Sequence, residues 1–248
     1  MNTVRLETVS ADQAPTIIKS WASEDSYYEG MQNGIAGPLN QKARKYPYVA
    51  SSEGKATHFS LTTPVPIRGP IKVVYLDGRS DAGLPHTRGK TGIALPVYLL
   101  WNPSESTLDH ELVHLSQKQF SERWLHLYKI YWNFRPAKEA EFLSIPMRWR
   151  SKRRINPDTL GNPYMVWSDR YIPLSVFLSE TDPDLRKCQR GFWDLKMSQW
   201  TWEEPPGWVR TFGIGFNDEH PNEIAAHWLD NTVAGAKEKR AFFDLNPV

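Results

Sequence analysis

The sequence predicts an α+β fold, on three observations. Runs rich in β-branched and aromatic residues, bounded by Pro and Gly, occupy residues 58–101. From about residue 106 the apolar period switches to that of a helix, and a second helical pattern follows at 220–230. Strands, then a helix, then a later helix is the order of a mixed domain. The expected arrangement is a small mixed sheet packed on the 106–120 helix, with the late helix crossing it.

The elements follow in chain order. Residues 1–55 read as an N-terminal extension, with a short helix at Ala11–Ala22 capped by Ser10 and a loop from Gly30 to Pro38. His58–Thr62 and Ile71–Leu76 read as strands. Ile93–Trp101 is a third, and its Pro96 suits a sheet edge, where a missing N–H costs no ladder bond. Asn102-Pro103-Ser104 stops that strand. Ser106-Thr107-Leu108-Asp109 offers a capping-box-like start, with an acid where the helix dipole favours one. Leu108, Leu112, Leu115 and Phe120 then recur at helical spacing, and a second helix is expected over Ser121–Phe134. Residues 135–200 are punctuated by Pro and remain ambiguous. Pro221 falls in the first turn of the last helical pattern, which runs to Asp230.

Composition bounds the function. The 248 residues are 40% hydrophobic, 12% aromatic and 23% charged, which excludes disordered, collagen-like and coiled-coil classes. With 30 basic against 28 acidic residues the chain is no strongly cationic nucleic-acid binder as a whole. No apolar run is long enough to span a bilayer, so no membrane partner is expected. The first residues lack the apolar core of a signal peptide, and Cys188 stands alone, so an intracellular, cytoplasmic protein in a reducing compartment is expected. Eleven Trp with 19 Pro imply large rigid core pieces and irregular connections.

The chemistry lies in His110-Glu111-Leu112-Val113-His114. Residues i and i+4 share one helical face, so both imidazoles can reach one ion, and Zn²⁺ accepts neutral imidazole. Glu111 can take a proton from water at that ion and pass it to a leaving amine. The bland alternative is two histidines and an acid on a solvated face. It fits poorly, because Leu108, Leu112, Val113 and Leu115 bury most of the helix. A catalytic zinc site needs a third protein ligand and an open position. Glu223, on the late helix with small residues after it, is the first choice. Glu139 or Glu141 is the second, and His220, His227 and Asp218 are the remaining donors. Asn222 and Asp158 are candidates to brace a ligating imidazole, and His227 or Tyr171 to donate to an oxyanion.

His110-Glu111-x-x-His114 with a downstream Asn222-Glu223 resembles the zincin metallopeptidases, and among them the gluzincin type. The resemblance implies a zincin-like fold over one domain, 1–248, with Zn²⁺ held by His110, His114 and Glu223, Glu111 as general base, and a peptide or protein substrate. It also implies that Ile93–Trp101 is the edge strand that binds extended substrate by β-addition. Two departures stand out. The long gap from His114 to Glu223 implies an insertion, placed at 135–215. The position four residues after Glu223, which in many gluzincins is an acid supporting a zinc histidine, is His227. A looser likeness, carried by Pro85-His86-Thr87-Arg88, Thr107-Leu108-x-His110-Glu111, Arg154-Ile155-Asn156-Pro157-Asp158-Thr159 and His220-Pro221-x-Glu223, is to uncharacterised metallopeptidases of large DNA viruses. It adds a virion-associated setting, and with it the rival reading of a catalytically silent, structural zincin-like protein.

Other features read more plainly. His86 is expected to be structural or on the surface. Arg148-Trp149-Arg150-Ser151-Lys152-Arg153-Arg154 has the make-up of a weak nucleic-acid contact, and more simply of a solvated loop or a patch for an acidic partner.

Overall fold

A computed structural model describes all residues except Met1, Asn102, 214–217, 231–235 and 246–247. Asn102, expected to help stop a strand, thus lies outside the described residues. The chain runs β1 (Asn2–Thr8), α1 (Ala14–Glu24), α2 (Tyr27–Asn33), α3 (Gly37–Ala43), β2 (Thr57–Thr63), β3 (Ile71–Leu76), β4 (His86–Arg88) and β5 (Gly92–Pro96). Next come α4 (Glu105–Gln119), α5 (Ser121–Trp132), β6 (Phe134–Pro136), α6 (Glu139–Leu143), α7 (Met147–Arg150), β7 (Met165–Trp167), β8 (Tyr171–Phe177), β9 (Cys188–Asp194) and β10 (Gln199–Thr201). Helices α8 (Trp208–Phe212), α9 (Pro221–Leu229) and α10 (Ala236–Leu245) complete it. The fold is mixed α+β, as expected. It divides into two compact units, one of residues 1–28, 44–121 and 225–248, the other of 29–43 and 122–224. The second unit is thus larger than the 135–215 insertion read from the sequence.

The first unit is built on a mixed sheet of order β2-β1-β3-β5-β4. β1 pairs antiparallel with β2 and parallel with β3, so the first residues are an interior strand and not an extension. β3 and β5 run parallel with apolar residues on both faces. Val73, Tyr75, Ile93 and Leu95 meet Leu108, Leu112 and Leu115 of α4, while Val74, Leu76 and Ala94 meet Ala14 and Trp21 of α1. Covering both faces is what a pair of near-continuous apolar strands requires.

Three expectations about the first hundred residues are corrected. Strand β5 ends at Pro96, with a 3₁₀ turn at Val97–Leu99, and it lies between β3 and β4. Ile93–Trp101 is therefore no edge strand. The edges are β2 and the three-residue β4, where Lys118 Nζ donates to the Thr87 carbonyl at 3.1 Å. Segment 30–38, in the second unit, is not one loop but the end of α2, a turn at 34–36 and the start of α3. Helix α1 begins at Ala14 with Gln13 as its cap residue, and the Ser10 and Gln13 carbonyls accept from its first N–H groups.

The second unit carries an antiparallel sheet, β10-β9-β8-β7-β6, in the stretch left ambiguous by sequence. One face packs Ile145, Val166, Ile172, Leu174, Val176 and Trp193. Trp208 packs edge-on against Phe134, Trp167, Phe192 and Phe212 at 4.7–6.0 Å, which accounts for much of the aromatic content. Among the described residues no helix is long and apolar enough to cross a membrane.

Candidate metal centre

Helix α4 is capped two residues earlier than its sequence suggested. Ser104, not Ser106, is the cap: its hydroxyl accepts from the Thr107 N–H at 3.1 Å. With Leu108, Leu112 and Leu115 on the sheet, the helix turns His110 and His114 to its other side. Glu111 and His114 are fully enclosed, while 17% of the His110 side chain meets solvent.

The two imidazoles present one nitrogen each to a common point, with Nε2 of His110 3.0 Å from Nε2 of His114. Their outer nitrogens are both taken. His110 Nδ1 lies 2.7 Å from Asp230 Oδ2, and His114 Nδ1 lies 2.8 Å from Gln117 Oε1. With Asp230 Oδ2 and Gln117 Oε1 as acceptors each Nδ1 donates outward; where both rings are neutral their Nε2 lone pairs face each other, and a proton or a metal ion can bridge them. Two lone pairs facing one another repel unless a cation sits between them. Tetrahedral coordination at zinc–nitrogen distances of 2.0–2.1 Å would separate the nitrogens by about 3.3 Å, so the pair needs only a small opening.

Helix α9 supplies the rest. Pro221 opens it, and the His220 carbonyl accepts from the N–H groups of Glu223 and Ile224. The helix is continuous through the point where the two units divide, so Glu223 has a fixed place one turn before His227. The ligand atoms of His110, His227 and Asp230, all in the first unit, lie within 4.8 Å of one another. The His227 ring is tilted against His110 at 4.7 Å, with Nδ1 3.4 Å from Asp230 Oδ2. A buried carboxylate shared by two imidazoles fixes both rings. Within the second unit, Asn156 Nδ2 donates to Glu223 Oε1 at 2.6 Å and so aims that carboxylate.

The other sequence candidates fall elsewhere. Glu139 is exposed at the start of α6. Glu141 is gripped by both terminal nitrogens of Arg135, at 2.8 and 2.7 Å, and accepts from the Lys138 N–H, with its carboxyl lowered to about 2 by Arg135. Neither joins the cluster. His220 spends Nε2 on the Pro163 carbonyl and Nδ1 on the Asn222 N–H, and the Asp218 carbonyl accepts from Arg190. Asn222 and Asp158 were expected to brace the imidazoles, but Asp230 and Gln117 hold those positions. The Asp158 N–H instead donates to Asn156 Oδ1. Tyr171 begins β8 in the second unit, its ring covered by the Arg170 guanidinium at 4.9 Å. His86 is structural: it is buried, with Nδ1 on the Leu84 carbonyl and Nε2 on the Tyr48 hydroxyl.

Sequence reasoning passed over Asp230, Gln117 and Asn156. Gln117 stands three residues after His114, on the same helical face, and that spacing was a readable signal. Asp230 stands seven after Glu223, again on one face, whereas the acid was sought at four. Asn156 has no local signal at all. No protein-family model, no curated protein and no solved structure matches this chain.

Proposed function

We propose that this protein is a zinc-dependent metallopeptidase of zincin-like design, with His110, His114 and Glu223 as metal ligands and Glu111 as general base. The observation that carries the reading is the pair of inward Nε2 nitrogens 3.0 Å apart, each ring backed by an acceptor at Nδ1. The donor set, two imidazoles and a carboxylate, is one that zinc accepts. Solvent reaches His110 and His227 but not His114, which suits a centre with one open position better than a closed structural one.

Zinc in such a site supplies Lewis acidity to a scissile carbonyl and acidifies water towards pH 7. The chain's own groups do the rest. Glu111 takes the proton as the water oxygen adds to the carbonyl carbon, then delivers it to the departing amine nitrogen. His227, beside His110, is placed to donate to the oxygen that gains charge. Asp230 and Gln117 keep the ligand tautomers fixed throughout. Arg150 and Arg153 bond the Ile145 and Arg150 carbonyls, and Lys152 pairs with Glu180.

The test is metal analysis of the chain purified without added zinc, beside His110→Ala and Glu223→Ala, together with peptide hydrolysis. Near-stoichiometric zinc in the parent, lost from both variants, with turnover, supports the reading. Stoichiometric zinc with no turnover on any peptide favours a catalytically silent, structural protein. An absence of metal in the parent, with no uptake on adding zinc, overturns both.

A further inference from the structure

The second unit contains a cavity of about 220 Å³ that abuts Glu223 through Asn156. At about 30 Å³ per water it has room for some seven waters, or one amino-acid side chain. That is small for a cofactor, since such sites run from about 300 Å³ upwards. Its walls are rigid. The Asn40 amide donates to the Arg153 carbonyl and accepts from the Ile155 N–H, and the Arg154 N–H donates to the Ser175 carbonyl on β8.

The lining mixes apolar and polar groups, and its charge has a sign. Arg153 and Arg154 both contribute to it, while Glu219 is the acid among the lining residues. The Arg153 guanidinium is stacked over Tyr164 at 5.6 Å and Phe142 at 5.7 Å, and those rings stack on each other at 3.8 Å. This holds a five-donor fork in place, with one nitrogen tied to the Arg150 carbonyl. His220 is neutral, since one ring nitrogen donates and the other accepts. Even fully ionised, Glu219 offsets only one of the two guanidinium groups that line the cavity. A small pocket with surplus guanidinium charge selects a carboxylate.

We propose that this cavity is a subsite for a carboxylate-bearing residue of the substrate, either an Asp or Glu side chain or a free C-terminus. As a statement about substrate it rests on the peptidase reading; as a binding site it does not. The two are therefore tested in separate arms. In the first, the full chain is freed of metal with a chelator and titrated calorimetrically. The probes are N-acetylglutamate α-amide against N-acetylglutamine α-amide, and N-acetylalanine against its amide. In the second, the zinc-loaded chain is given peptides with internal Glu or Gln, and with free or amidated C-termini. The variants are Arg154→Gln with Glu219→Gln, which removes both charges together, and Thr159→Phe, which fills the space without altering charge.

The expected result is a preference for the acid over the amide of about tenfold in one probe pair, lost in both variants while circular dichroism is unchanged. The pair that shows it identifies side chain or terminus. Acid-selective binding to the metal-free chain without hydrolysis upholds the subsite and removes the peptidase. Hydrolysis indifferent to acid or amide, with no acid-selective binding, removes the subsite and leaves the peptidase. Equal binding of acid and amide probes likewise overturns the subsite.

Discussion

Replacing Asp230 by Asn tests how the centre is held. Asp230 is almost fully buried, and its Oδ2 lies 2.7 Å from His110 Nδ1. A buried hydrogen bond to a charged acceptor contributes roughly 1.5–3 kcal/mol. Loss of a carboxylate behind a metal-bound imidazole typically weakens metal binding about tenfold to a hundredfold, or roughly 1.4–2.8 kcal/mol, and the two scales agree. The side chain keeps its shape in Asp230→Asn, so the fold should persist. Zinc affinity, measured by competition with a chromophoric chelator, should fall by that factor, with circular dichroism unchanged. An affinity within about twofold of the parent would refute the bracing role. Complete loss in Asp230→Asn, with Glu223→Gln unaffected, would make Asp230 a direct ligand and transfer the site to His110, His227 and Asp230.

Three further outcomes are expected. Glu111→Gln should retain zinc while peptide hydrolysis drops by about 10²–10⁴ fold, read as kcat/KM beside metal content; an active variant would remove Glu111 from the proton path. In metal-free protein, Glu219 titrates near 7 when folded against an ordinary 4.5, so the folded state binds its proton more tightly. Stability from this group is full below about pH 4.5 and is lost as pH rises towards 7, by ~3 kcal/mol at most. Urea midpoints of the parent should show that decline and those of Glu219→Gln should not. Finally, a Cβ on Gly92 would stand 2.3 Å from the buried Trp21 ring, so Gly92→Ala should destabilise by roughly 1–3 kcal/mol, visible as a lower urea midpoint. An unchanged midpoint would show that the α1 face of the sheet can yield.

The sequence by itself determined the elements whose signals are local. The α4 pattern and the pentad on it, the strand at Ile71–Leu76 and the Pro-led α9 are set by periods of 3.6 and 2 and by end signals, which need no distant partner. Even the nomination of Glu223 needed only a second helix with an acid. What only the tertiary structure decided depends on contacts far apart in the chain. β1 is an interior strand because β2 and β3 flank it, and β5 is interior because β4 folds back on it. Glu141 is withdrawn from the ligand contest by Arg135, and His220 by Pro163. The protonation of His110 is set by Asp230, 120 residues away. A hydrogen bond of that reach leaves no periodic trace, because its partners are joined only when both helices have already packed.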